Sequence, residues 1–341
     1  MIVIQADDAQ AHLDALAKPQ RSMGRLELLA VRLATVQQRL DPITRPRRLV
    51  LFAGDHGVVA QGVSAWPSEV TGLMVATMAS GRATSSALAA AHGCDVRLID
   101  TGTIGTPLAD PPPFYHHVAV AAGTSDLSTG PAMTAAEFDA GWEIGAGEAR
   151  RAVEQGFAVL IAGEMGIGNT TPAACLTMLL AGASADEAVG RGAGVDDVTL
   201  ARKRAIVAQA AARAQPLIAT RPREAIAAVA GFEIAAMAGF FAEGARLKST
   251  LLLDGYVATA AALAAERLVP GTAGQMIAAH CSAEPGHVHA LARLGLDPLL
   301  DWGMRLGEGT GALVALPMLD SAAALLRGVA KLTDIGTASA G

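Results

Sequence analysis

Phe157-Ala-Val-Leu-Ile-Ala-Gly-Glu-Met-Gly-Ile-Gly-Asn-Thr-Thr-Pro172 decides the fold. Residues 157–162 are a short apolar run that stops at Gly163, the pattern of a strand covered on both faces. The stretch ends by opening a helix. Thr171 is placed as its N-cap and Pro172 in its first turn, where a missing N–H costs nothing. The same grammar recurs along the chain. Arg48–Ala53, Val96–Asp100, His117–Ala121, Ser249–Asp254 and Gln275–His280 read as further strands, several of them stopping at a glycine. Helical stretches are read at 7–40, 68–91, 135–155, 172–181, 196–214 and 255–267, and at 299–328 with a break at Gly307–Gly311. Strands alternating with helices give an α/β protein with a doubly wound, mostly parallel sheet. Such sheets bind ligands beyond the carboxyl ends of their strands, so the turns after the strands are where function is sought.

Composition agrees. Of 341 residues, 52% are hydrophobic and 17% charged, which excludes a disordered chain. A net charge of −6 without a basic block excludes a nucleic-acid groove built on phosphate neutralisation. Mean hydropathy is +0.37, which raises the question of a membrane span. The two most apolar windows, 225–242 and 251–265, carry Glu233 and Asp254, whereas a span needs ~20 apolar residues. No membrane span is expected. Met1–Asp8 has no basic segment followed by a long apolar one, so it does not read as a signal peptide. Cys94, Cys175 and Cys281 are odd in number and scattered, as suits a reducing cytoplasm.

The glycines of 163–168 allow close backbone approach to an anion at a helix start. Asn169 stands where a Walker loop needs lysine, and Thr171 replaces the third glycine of a dinucleotide fingerprint. The loop therefore suits a monophosphate; the alternative is an ordinary βα turn. A second cluster, Gly190-Arg-Gly-Ala-Gly194, precedes a helix with Arg202, Lys203 and Arg204. It offers Gly192 and one cation to the same phosphate, or else forms a solvated basic face. Glu308, between Gly307 and Gly309, is either a first-turn acid complementing a helix dipole or a general base on a close-approach loop. His280, His287 and His289 match no zinc spacing and read as hydrogen-bonded loop histidines. His56, in Gly54-Asp-His-Gly57, either takes part in catalysis or orients its loop.

Taken together, Phe52–Val59, Gly62–Thr71, Gly163–Thr171, Gly190–Asp197, Ser282–His287 and Pro298–Ala312 form an ordered set. By these motifs, from about residue 20 to about 330, the chain resembles the nicotinate-nucleotide–dimethylbenzimidazole phosphoribosyltransferases of cobalamin biosynthesis. The resemblance implies transfer of phosphoribose from nicotinate mononucleotide to 5,6-dimethylbenzimidazole, giving nicotinate and α-ribazole 5′-phosphate. It implies Glu308 as the catalytic base, with Glu164 beside it near the ribose phosphate. Gly166, Ile167, Gly168 and Asn169 would form the phosphate loop, with Gly192 and Lys203 nearby. It implies a Rossmann-like large domain, residues 41–289, and a small helical domain from 1–40 and 290–341. It also implies a cytoplasmic homodimer that needs no cofactor and no metal. With aromatics at only 4%, the flat acceptor would be held by aliphatic walls, assigned to Leu306 and Leu73.

Two stretches depart from the family pattern. Val-Thr-x-Gln-Met appears as Val70-Thr-Gly-Leu-Met74, and Gly-Gly-Ala-x-Ile-Asn as Gly81-Arg-Ala-Thr-Ser-Ser86. They lead to the expectation of a different or relaxed choice of acceptor. Two rivals remain: another nucleotide phosphoribosyltransferase or phosphorylase, and a nucleotide-sensing protein without activity.

Overall fold

Successive strand residues point to opposite faces, and here both sets are buried. Val50, Phe52, Leu160, Ala162, Leu251 and Leu253 enter one core; Leu49, Leu51, Val159, Ile161 and Leu252 enter the other. That two-sided burial explains the continuous apolar runs. The computed structural model describes residues 3–335. Its six strands are β1 (Arg47–Gly54), β2 (Asp95–Gly102), β3 (Tyr115–His117), β4 (Val159–Met165), β5 (Thr250–Leu253) and β6 (Met276–Ala278). They lie in the order β3-β2-β1-β4-β5-β6, and every neighbouring pair is parallel. The winding reverses between β1 and β4, so their carboxyl ends open a crevice for a ligand.

One face carries α5 (Ala135–Glu154), α6 (Thr170–Ala181), α8 (Asp197–Ala214), α10 (Phe232–Arg246), α11 (Tyr256–Leu268) and α12 (Gly286–Leu294), with the short α7 (Ala185–Ala188) and α9 (Pro222–Ala227) beside them. The other carries α1 (Ala6–Asp14), α2 (Arg25–Gln37), α3 (Glu69–Ala79), α4 (Thr84–His92) and α13 (Thr310–Gly328). Helices from the two chain ends thus pack together, and a bridge joins Leu16 to Lys331. They share their core with the sheet: Leu13, Leu33, Leu313 and Leu316 are in one cluster with Leu49 and Ile161. Residues 1–2 and 336–341 of the expected helical unit lie outside the described residues. By length and composition α13 alone among the described helices is able to cross a membrane, yet 56% of it is buried within the protein.

Several boundaries correct the sequence reading. The expected helix 7–40 is two helices, split where Arg21 and Gly24 take positive φ. The stretch 68–91 is split likewise by Gly81, at φ +73°. The third strand is Tyr115–His117, not His117–Ala121: it needs only three residues to pair with Leu98–Asp100. Residues 301–309 are not helical, because α13 starts only at Thr310. Asn169, not Thr171, caps α6; Thr171 and Pro172 are already in its first turn.

Candidate active site

A cavity of about 460 Å³ opens at the carboxyl ends of β4, β5 and β6. Its floor is Glu164 and the loop Gly166–Thr170; its sides carry Gly192, Lys203, Asp254, His280, Glu284 and the loop Arg305–Gly307. All but one of the expected phosphate and acid positions therefore line one space. The exception is Glu308, one residue behind the wall at Gly307.

The side expected to take a phosphate is built on the start of α6. Gly168 has φ +89°, and a Cβ there would stand 2.6 Å from Val59. The Ile167 N–H donates to Thr71 Oγ1 (3.1 Å), fixing the loop to α3. Lys203 reaches in from α8 and is only 1% exposed. Its ammonium donates to Thr170 Oγ1 (2.7 Å) and to the Gly190 carbonyl (3.2 Å). Burial lowers its pKa to about 8, against the pull of Glu284. Lys203 is thus turned inward, unlike its neighbour Arg202, which is exposed. Gly192 also lines the cavity, but its N–H is taken by Glu284 Oε1 (2.9 Å) and its carbonyl by Arg305 (2.7 Å). It offers the cavity close approach rather than a free donor.

The opposite side is acidic. Glu164 accepts a short hydrogen bond from Asn169 Nδ2. Burial, then the charges of Asp254, Glu233 and Glu308, raise its pKa to about 8, so it is largely protonated at neutral pH. Asp254 receives the N–H groups of Gly309 (3.1 Å) and Ala312 (3.0 Å), closing the first turn of α13. Burial raises its proton affinity, while His280 and the N–H groups of Ala312, Gly255 and Gly311 oppose the shift. Glu308 is 3% exposed and held at φ +58°, a left-handed conformation rare for a residue with a side chain. Gly307 and Gly309 share that handedness. Here the glycines make room for the protein itself: a Cβ on Gly307 would overlap the Glu164 carboxyl, and one on Gly309 would stand 2.5 Å from Leu49. Glu308 Oε2 accepts from Ser85 Oγ (2.9 Å) and, more weakly, from Ser85 N (3.3 Å). Ser85 belongs to the departure Gly81–Ser86, whose last three residues open α4.

The two leucines assigned to the acceptor separate. Leu306 lines the cavity. Leu73 is 66% exposed and is not among the lining residues, because α3 turns Thr71, Val75 and Met78 inward and leaves it on the other face. His56 lies beneath the phosphate loop. Its Nε2 is 3.0 Å from Glu233 Oε1, and both side chains are fully enclosed. Burial works against its protonation, but Glu233 and Asp55 outweigh burial and raise its pKa. In the sequence Glu233 stands out only as a charge interrupting an apolar window. Its pairing with His56 has no local signal. His287 is a framework histidine: Nδ1 accepts from Ser282 N (2.7 Å) and Nε2 meets Thr259 Oγ1 (2.8 Å). Burial drops its pKa to about 3. No three His, Cys, Asp or Glu side chains among the described residues are grouped to hold a metal ion.

Residues 4–336 match the family model described as phosphoribosyltransferase. Curated relatives carry the longer name nicotinate-nucleotide–dimethylbenzimidazole phosphoribosyltransferase. One, from Thermus thermophilus, is 46% identical over 93% of this chain and 94% of its own length. The chain belongs to this phosphoribosyltransferase family. The relative of the same name from Mycobacterium tuberculosis is 45% identical over 97% of this chain and 91% of its own. The crystal structure of CobT from Thermus thermophilus superposes with a TM-score of 0.93 at 44% identity, covering 97% of this chain and 98% of that one. The phosphoribosyltransferase fold therefore extends over nearly the whole chain, departures included.

Proposed function

We propose that the protein transfers the phosphoribosyl group of nicotinate mononucleotide to 5,6-dimethylbenzimidazole or a related base, in assembly of the cobalamin nucleotide loop. What carries the reading is the arrangement of one cavity, with the α6 N-terminus and Lys203 on one side, Glu164 on the other, and Glu308 directly behind the wall at Gly307. The nucleotide phosphate sits at the helix start, where the backbone and the ammonium favour an anion. Its charge raises the lowered proton affinity of Lys203 and keeps it cationic. The nicotinate nitrogen is positively charged in the substrate and leaves neutral, so no general acid is required.

Glu308 takes the N–H proton of the acceptor while the acceptor's other ring nitrogen attacks C1′ from the side opposite nicotinate. The bond to nicotinate breaks and the β linkage becomes α. Glu164 is largely protonated in the free site; the cationic pyridinium lowers its proton affinity, so that on substrate binding it releases its proton to solvent and faces the developing positive charge at C1′ as carboxylate. Leu306 supplies an aliphatic wall for the acceptor. The reading includes a cytoplasmic homodimer. The exposed side chain of Trp302 is apolar surface that a partner would cover.

The test is to mix the protein with nicotinate mononucleotide and each of dimethylbenzimidazole, benzimidazole, adenine and cresol, then separate and identify the products by chromatography and mass spectrometry. Free nicotinate and an α-ribotide are expected. Consumption of free phosphate or pyrophosphate would indicate a phosphorylase or another transferase instead. Glu308→Gln is expected to lower kcat by ~10²–10⁴-fold with nucleotide binding retained.

A further inference from the structure

We propose that Ser85 is a positioning residue for Glu308, holding its carboxylate so that Oε1 faces the acceptor's N–H. The proposal rests on the reading of Glu308 as the base. Both Ser85 donors fall on the same oxygen: Oγ at 2.9 Å and the backbone N–H at 3.3 Å from Oε2. Ser85 is fully buried and Glu308 nearly so, which keeps water from competing for that oxygen. No cation pairs with Glu308 among the described residues.

The main chain beside the carboxylate is already fixed. Gly309 N is held by Asp254 (3.1 Å), and Gly307 lies against Glu164 with no room for a side chain. What remains free is rotation of the Glu308 side chain, and Ser85 removes it. Ser85 lies in the first turn of α4, where its backbone N–H is one of the helix-start donors without an intrahelical partner and is therefore available to Oε2. With Oε2 engaged, the N–H bond of the acceptor breaks onto Oε1, and the new O–H bond forms there. A base displaced by about 1 Å loses on the order of 10²-fold in rate.

The test is steady-state kinetics on the full-length protein with nicotinate mononucleotide and dimethylbenzimidazole, each variant's fold being checked by its melting curve. Ser85→Ala is expected to lower kcat about 10–100-fold with the KM for nicotinate mononucleotide unchanged. Ser85→Cys fills the same space with a poor donor and gives the same loss, so the test survives if the alanine variant does not fold. In a Glu308→Gln background, Ser85→Ala is expected to add nothing, because the group it positions is gone. Unchanged kcat in a folded Ser85→Ala protein overturns the proposal. So does an equal loss in the Glu308→Gln background. Full turnover by Glu308→Gln alone overturns instead the assignment of the base.

Discussion

Two glycine-rich loops border the cavity, each leading into a helix, and they do opposite things. At 163–169 the loop and the start of α6 face the open cavity. At 307–311 the start of α13 is already occupied: Asp254 accepts two of its N–H groups, and Gly311 packs on His280. The first loop ties Ile167 N to Thr71 and Thr171 N to the Gly168 carbonyl, and turns the rest of its helix end towards the cavity. The second commits its helix end to an internal carboxylate and uses its glycines to press Glu308 and Glu164 together. A glycine-rich turn before a helix is thus an anion site only where the protein leaves the helix end open.

Gly307→Ala strikes this difference hardest. It forces a Cβ into the Glu164 carboxyl at a position with φ +88°. Activity is expected to fall at least ~10²-fold, with a lower melting temperature, measured by product formation and calorimetry. If Gly307→Ala is fully active, the packing of the second loop does not matter to the chemistry. Next, Asp254→Ala uncaps α13 and leaves buried N–H groups without partners. Its expected cost is about 1–3 kcal/mol in denaturant unfolding. By contrast, Asn169→Ala at the start of α6 should raise the nucleotide KM, and its cost in stability should be confined to the lost hydrogen bond to Glu164, about 1 kcal/mol, since the Asn169 side chain makes no capping bond.

The smallest effect concerns pH. The Glu164 pKa is raised in the folded protein from its ordinary 4.5 to about 8. Its contribution to stability is therefore full below about pH 4.5 and is lost as pH rises through 8. Melting temperatures between pH 5 and 8 should decline less steeply in Glu164→Gln than in the unaltered protein. Parallel slopes would count against a buried, protonated Glu164.

Local sequence carried the central strands, because β1, β4 and β5 are covered on both sides and so read as apolar runs, while β2 shows a shorter one, Leu98-Ile99, after Arg97. It failed at β3, an edge strand of three residues whose position is set by pairing with Leu98–Asp100. It also missed the break over 15–24, where Leu16 pairs with Lys331 and Arg21 and Gly24 take positive φ, and the break at Gly81. The glycine-rich loop at 163–169 was legible because its parts are adjacent. Ser85 and Glu308, or His56 and Glu233, are brought together only by the fold, and neither member carries a local mark of its partner. The flanking glycines mark a close-approach loop but not the left-handed backbone of Glu308, whose main chain lies against Gly163.

The strand order also sets a timetable. The central pairing joins Arg47 to Val159, so β1 waits for roughly 110 further residues before its inner neighbour exists. At about 5–20 residues per second on the ribosome, that is on the order of 5–20 s with one edge of an apolar strand uncovered. The nucleotide side of the cavity is synthesised by Glu284, whereas Glu308 comes later, with the helix that closes onto the N-terminal ones. A nascent chain therefore acquires the groups that would grip a phosphate before it acquires the group that would make the reaction go.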